Sequence, residues 1–135
     1  MDVSYYELLG GEDGVRALVD TFYDLMDSLP EARTIRAMHP PDLEGSREKL
    51  FLFLCGWTGG PPLYIQRYGH PRLRARHLPF PIDDDAARAW MLCMEGALDE
   101  CVADDSFRDQ LARAFTRIAG HMRNQGPGPG GFHPT

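Results

Sequence analysis

Apolar residues recur along this chain at helical spacing, with no run of strict alternation. From Val15 they fall at Leu18, Val19, Phe22, Met26 and Leu29, a stripe that predicts a helix ending at Pro30. Tyr23 shares the stripe, four residues after Val19 and three before Met26, so its ring is expected to be buried and its hydroxyl to need a partner. Leu43, Ser46, Leu50, Phe53, Leu54 and Trp57 predict a second helix with those residues on its buried face. Trp90, Cys93, Met94, Ala97, Leu98 and Cys101 predict a third, opened by Asp83, Asp84 and Asp85 as cap and first-turn residues. Phe107, Leu111, Ala114, Phe115, Ile118 and Met122 predict a fourth, capped by Asp105 or Ser106.

Shorter elements fill the gaps. Ser4 and Glu7 have capping-box spacing, so a short helix opens the chain and stops at Gly10-Gly11. Glu31 to Ala37 makes one or two turns before His39-Pro40-Pro41 forces an extended corner. Thr58 to Pro62 breaks the second helix, and Tyr64 to Tyr68 forms at most a turn. His70-Pro71 opens a short helix that ends at His77, before Pro79 and Pro81. The expectation is an all-α domain over residues 1–125, followed by a Gly/Pro-rich tail over 126–135 that has no packing pattern.

Composition narrows the choices. A chain of 135 residues supports one core without metal or disulfide staples. Its net charge of −6 disfavours polyanionic partners such as nucleic acid. No apolar run approaches the length of a membrane span, and the acidic N-terminal segment lacks the features of a signal peptide. Cys55, Cys93 and Cys101 form no C-x-x-C pair and read as reduced core thiols, so the chain is expected to be soluble and cytoplasmic, as a monomer or a homodimer.

Polar rings on apolar faces carry the chemistry. Tyr23, His39, His77 and Trp90 stand on four separate elements, with Ser46 on a fifth, and buried donors need partners. His77 is the sharpest of them. It ends a short helix, shares a face with Leu73 and follows Arg72, Arg74 and Arg76, whose charges disfavour its protonation. A neutral imidazole is what a metal needs, and its other nitrogen can donate to a carbonyl one turn back. No second ligand stands at zinc-like spacing, and His70 sits between Gly69 and Pro71 as a cap. A single protein ligand suits haem iron, where the porphyrin supplies four more. Ser46, Leu50 and Phe53 lie four and three residues apart, so one helix presents a short hydroxyl and two apolar groups to one pocket.

The residues also carry a resemblance. FYDLM at Phe22 to Met26, MHPPDL at Met38 to Leu43, REKLFLFLCGWTGGPPLY at Arg47 to Tyr64, GHPRLRARHLPFPI at Gly69 to Ile82 and WMLCM at Trp90 to Met94 follow in order, and the chain resembles the group II truncated haemoglobins. That resemblance implies a two-over-two helical sandwich around haem b, with His77 as the proximal iron ligand. Tyr23, His39 and Trp90 match the distal positions that surround a bound ligand. His39 stands where relatives often carry tyrosine or phenylalanine. Ser46 takes the place of the distal histidine of ordinary globins, and Leu50, Phe53 and Leu54 are apolar lining. Arg76, which the resemblance supports best, joins Lys49 and Tyr64 as candidates to meet the haem propionates. Trp57 and the cysteines read as core.

Three functions are then open. The first is a haem protein that binds oxygen, nitric oxide or carbon monoxide. The second is an enzyme on the same site that detoxifies nitric oxide or peroxide with a redox partner. The third is a helical interaction module whose pocket holds only side chains.

Overall fold

The computed structural model describes residues 3–124, so the expected tail over 126–135 and its boundary lie outside the described residues. Eight α-helices make up the described chain: α1 (Tyr5–Leu9), α2 (Gly11–Ser28), α3 (Arg33–Ala37), α4 (Glu44–Trp57), α5 (Leu63–Tyr68), α6 (Leu73–His77), α7 (Asp84–Cys101) and α8 (Asp105–Met122). A single 3-10 turn, Pro30–Ala32, leads into α3. No strand occurs among the described residues.

Two pairs of long helices form the frame. α2 packs on α4 and on α7, and α7 packs on α8. The predicted stripe of α2 is its buried face: Val15, Leu18, Val19, Phe22, Tyr23 and Met26 are all enclosed. α2 begins a turn earlier than Val15, because Gly10 takes a left-handed conformation (φ 104°) that ends α1 and lets the chain restart at once. At Gly14 a Cβ would run into the Leu9 carbonyl, so glycine there is what permits the close approach of α1 and α2. Ser4 caps α1 as predicted, its hydroxyl accepting from the Glu7 N–H at 3.2 Å.

α4 departs from its predicted face. Phe51, Leu52, Leu54 and Cys55 are buried, whereas Ser46, Leu50, Phe53 and Trp57 are only half-buried. The helix is apolar on two sides. One side carries Arg47, Glu48 and Phe51 towards α2, where Arg47 pairs with Asp20 and Asp24 and the Arg16 guanidinium lies 3.6 Å from the Phe51 ring centre. The predicted stripe is the other side, where Phe53 meets Tyr64 of α5 at a ring distance of 6.4 Å. Trp57 meets Phe115 of α8 at a ring distance of 4.8 Å, which makes it core as expected.

Two helix starts also differ by a residue or two. Asp104, not Asp105 or Ser106, caps α8 by accepting from the Phe107 N–H at 2.8 Å. α6 begins at Leu73 rather than at Pro71, because Arg72 adopts a left-handed backbone (φ 47°) and its N–H donates to His70 Nδ1 at 3.0 Å. His70 is therefore a cap on the chain before α6. Tyr64 to Tyr68, expected as a turn, belongs to the full helix α5. Cys55, Cys93 and Cys101 are free thiols; the first two are buried and the third half-buried.

Candidate functional site

Rings from α2, α7 and the corner after α3 meet around Phe22 and Tyr23. Phe22 of α2 stacks edge-on with Tyr23 at 5.0 Å and lies 5.1 Å from Trp90 of α7, so the two polar rings flank one buried phenylalanine. Tyr23 also meets the His39 ring edge-on at 5.9 Å. The Leu29–Pro30 junction and α3 bring His39 back over α2. Arg36 then fixes the corner, donating to the Pro40 carbonyl at 2.9 Å, to the Pro41 carbonyl at 2.8 Å and to Asp27 of α2 at 2.8 Å.

Tyr23 is 6% exposed. Burial pushes its phenol far above the ordinary range, with Arg47 opposing the shift, so the hydroxyl stays protonated and can donate. Among the described residues neither that hydroxyl nor the Trp90 indole N–H has a hydrogen-bond partner, yet no sealed-off side-chain polar atom is left unsatisfied. Both donors therefore reach an accessible surface.

The two histidines have their tautomers set by the same device. His39 Nδ1 lies 2.8 Å from the Ile35 carbonyl, and His77 Nδ1 lies 2.6 Å from the Leu73 carbonyl. A carbonyl only accepts, so each Nδ1 carries the proton and each neutral ring offers an Nε2 lone pair. Burial lowers the His39 pKa, opposed by the Ile35 contact, while the charges of Arg36 and His77 lower it further.

Aromatic rings close the far edge. Tyr64 of α5 lies 6.4 Å from Phe53 and 4.9 Å from Tyr68, with the Arg76 guanidinium 5.8 Å from its ring centre. Lys49 sits 5.9 Å from the Tyr68 ring, and Arg76 Nε donates to the Pro71 carbonyl at 2.7 Å. Direct contacts gather the predicted site residues in two groups: Tyr23, His39 and Trp90 around Phe22; and Phe53, Lys49 and Arg76 around Tyr64 and Tyr68. His77 ends α6, and Ser46, Leu50 and Leu54 lie on α4.

The sequence reading missed Asn124. Its side chain donates to the His77 carbonyl at 3.1 Å and to the Phe80 carbonyl at 2.8 Å, and accepts from the Ile82 N–H at 2.9 Å. Its own N–H donates to the Ile82 carbonyl at 2.8 Å. The residue that follows α8 is thereby pinned across the whole loop after His77. No spacing rule reports bonds between residues 42 to 47 apart.

The match to the bacterial-like globin family covers residues 4–124. The chain is 42% identical over 120 residues to the group 2 truncated haemoglobin of Bacillus subtilis, covering 89% of this chain and 88% of that one. This chain belongs to the group II truncated haemoglobins. Its fold matches the group II 2-on-2 haemoglobin of Agrobacterium tumefaciens with a TM-score of 0.89 at 45% identity, covering 92% and 96% of the two chains. It also matches a truncated oxygen-avid haemoglobin from Bacillus subtilis with a TM-score of 0.82 at 41% identity, covering 90% and 100%. As a truncated haemoglobin it is a haem-binding globin for small diatomic ligands, and the residues fit that group. His39 and His77 each keep a free Nε2, two donors stand without protein partners, and Lys49 and Arg76 lie by the Tyr68 and Tyr64 rings. No described helix is long and apolar enough to cross a membrane.

Proposed function

We propose that this chain holds a b-type haem through His77 Nε2 and binds oxygen, and also nitric oxide and carbon monoxide, beneath Tyr23, Trp90 and His39. The observation that carries the reading is the His77 hydrogen bond to the Leu73 carbonyl, which fixes the ring and leaves the Nε2 lone pair for a metal. When bound, the haem supplies an iron centre that shifts negative charge onto a diatomic ligand. The Tyr23 hydroxyl and the Trp90 N–H are the donors that answer this charge, and a hydrogen bond to a charged group contributes about 1.5 to 3 kcal/mol.

His39 has a different part. Its protonated Nδ1 is committed to Ile35, so the neutral ring can accept a proton-sharing bond but cannot donate one to the ligand. It orients Tyr23 by ring contact and becomes a donor only when protonated. Ser46 adds a small hydroxyl, while Leu50, Phe53 and Leu54 line the apolar wall. Arg76, Lys49 and Tyr64 meet the propionates. The free thiols support a reducing, cytoplasmic setting, and the oxygen-avid relative supports tight oxygen retention.

Haemin titration of purified protein tests the reading, followed by its absorption band. His77→Ala is expected to lose most of the haem affinity, whereas His70→Ala, His121→Ala and His133→Ala keep it. Equal loss in His70→Ala overturns the His77 assignment.

A further inference from the structure

Charge is segregated along this chain. Lys49, Arg67, Arg72, Arg74 and Arg76 lie between residues 49 and 82, a stretch with no Asp or Glu. The other nine basic residues and all twenty carboxylates lie outside it, so a segment of +5 sits in a remainder of −11. In space three of the five side chains gather round two rings. Lys49 and Arg67 approach the Tyr68 ring at 5.9 and 5.6 Å, Tyr68 stacks with Tyr64 at 4.9 Å, and Arg76 lies 5.8 Å from Tyr64. Arg72 stands at the N-terminus of α6, and Lys49, Arg67, Arg72 and Arg76 are all exposed.

Most cations outside the stretch are paired, Arg33 and Arg117 being without a carboxylate partner among the described residues. Arg16, Arg36, Arg47, Arg88, Arg108, Arg113 and Arg123 each bond a carboxylate. Lys49, Arg67, Arg72 and Arg76 have no carboxylate partner among the described residues. Two propionates can answer Lys49 and Arg76, which leaves Arg67 and Arg72 without a use in the binding site. Arg67 shares α5 with Tyr68, which is 40% exposed, and Ile65, which is 54% exposed, and Arg72 opens the next helix. An apolar centre with a cationic rim is the composition of a transient protein interface.

We propose that the α5–α6 surface around Arg67 and Arg72 docks an acidic one-electron carrier protein that reduces the haem. The inference rests on the haem reading above. The balance is one for one: the donor's reduced centre loses one electron and the ferric iron gains it, with no bond made or broken. A chain of net −6 repels an acidic protein over most of its surface, so the acid-free patch selects the approach and aims it at the end of α6. Steering of this kind changes association rates about 10- to 1000-fold and fades once salt shortens the Debye length.

The test is stopped-flow reduction of the ferric, haem-loaded protein by an acidic flavodoxin hydroquinone under argon, with complex formation followed separately by calorimetry on the oxidised pair. Arg67→Glu with Arg72→Asn is the probe, asparagine being tolerated at the left-handed backbone of Arg72. Arg117→Glu, exposed and remote in sequence, is the charge control. The double variant should slow reduction and weaken binding at least about tenfold at low salt, and converge with wild type at high salt. Reduction by dithionite and the haem absorption band should be unchanged. Equal slowing by Arg117→Glu, or salt-independent rates in the wild type, overturns the docking surface. Tighter capture of the wild type by anionic lipid vesicles or by DNA than by the flavodoxin overturns the choice of partner. Failure to take up haemin sinks the haem reading instead, and is seen before any donor is added.

Discussion

At Trp90 and Tyr23 the proposed function turns on one hydrogen-bond donor each. Trp90→Phe keeps most of the apolar area that faces Phe22 and Phe115, whose rings lie 5.1 and 6.0 Å away, and deletes the ring's one hydrogen-bond donor. The expected result is oxygen release faster by at least about tenfold, equivalent to about 1.4 kcal/mol, with association little changed. Tyr23→Phe should do less if both donors share one ligand atom. Stopped-flow release from both variants checks this, and unchanged release in Trp90→Phe would reduce the indole to packing. His39 gives a pH signature of opposite origin. Its pKa is lowered in the fold mainly by burial, so the unfolded chain takes the proton first. The stability it lends is full above the unfolded value near 6.5 and is lost as pH falls from there through the folded value. Urea midpoints measured between pH 7.5 and 5.5 should therefore fall more for wild type than for His39→Phe. Parallel curves would remove His39 as the cause. Cys93, whose thiol burial pushes up to about 11, should stay unreactive to alkylating reagents over the same range.

At the scale of elements, what the sequence makes legible is whatever a helix writes at a spacing of three or four. The stripes of α2, α7 and α8 are periodic because each buries one face, and the His77–Leu73 bond could be expected because it is local. α4 is harder to read. Apolar on two sides, it hides which one packs on α2 and which one serves the site, so Leu50 and Phe53 look like core although they are half-buried. Its real pairing is written in Arg47 with Asp20 and Asp24, partners more than twenty residues away. Asn124 is less legible still, because its three side-chain bonds reach across α7 and α8 to a loop and leave no period behind. It acts as a positioning residue for His77. Asn124→Asp keeps an acceptor for the Ile82 N–H but loses both donations, to the His77 and Phe80 carbonyls. At roughly 0.5 to 1.5 kcal/mol per hydrogen bond, the change should cost about 1 to 3 kcal/mol and speed amide exchange in the loop at 78–82. The readout that separates positioning from mere stability is the iron–histidine stretching band. It should broaden or shift in Asn124→Asp and stay fixed in Arg117→Glu.

For the whole molecule the question is where the working unit ends. The family match stops at residue 124, and Asn124 anchors the loop after His77. The Gly/Pro-rich composition that follows supplies no apolar stripe to pack. On these grounds we propose that the working unit is residues 1–125, with the Gly/Pro-rich tail over 126–135 outside it. A chain ending at Gln125 is therefore expected to keep the melting temperature and haemin affinity of the full chain. A chain ending at Arg123 differs from it by two residues, yet loses every bond from Asn124 to the loop at 77–82. Its haem should dissociate several-fold faster, and binding of haemin should raise its melting temperature less, since a ligand stabilises the fold only in proportion to its affinity for the folded state. Haem transfer to an excess of a tight apoglobin acceptor measures the first quantity, and a melting curve with and without haemin the second. If both truncations behave alike, the anchor is not Asn124; if the chain ending at Gln125 already loses haem, the tail belongs to the domain.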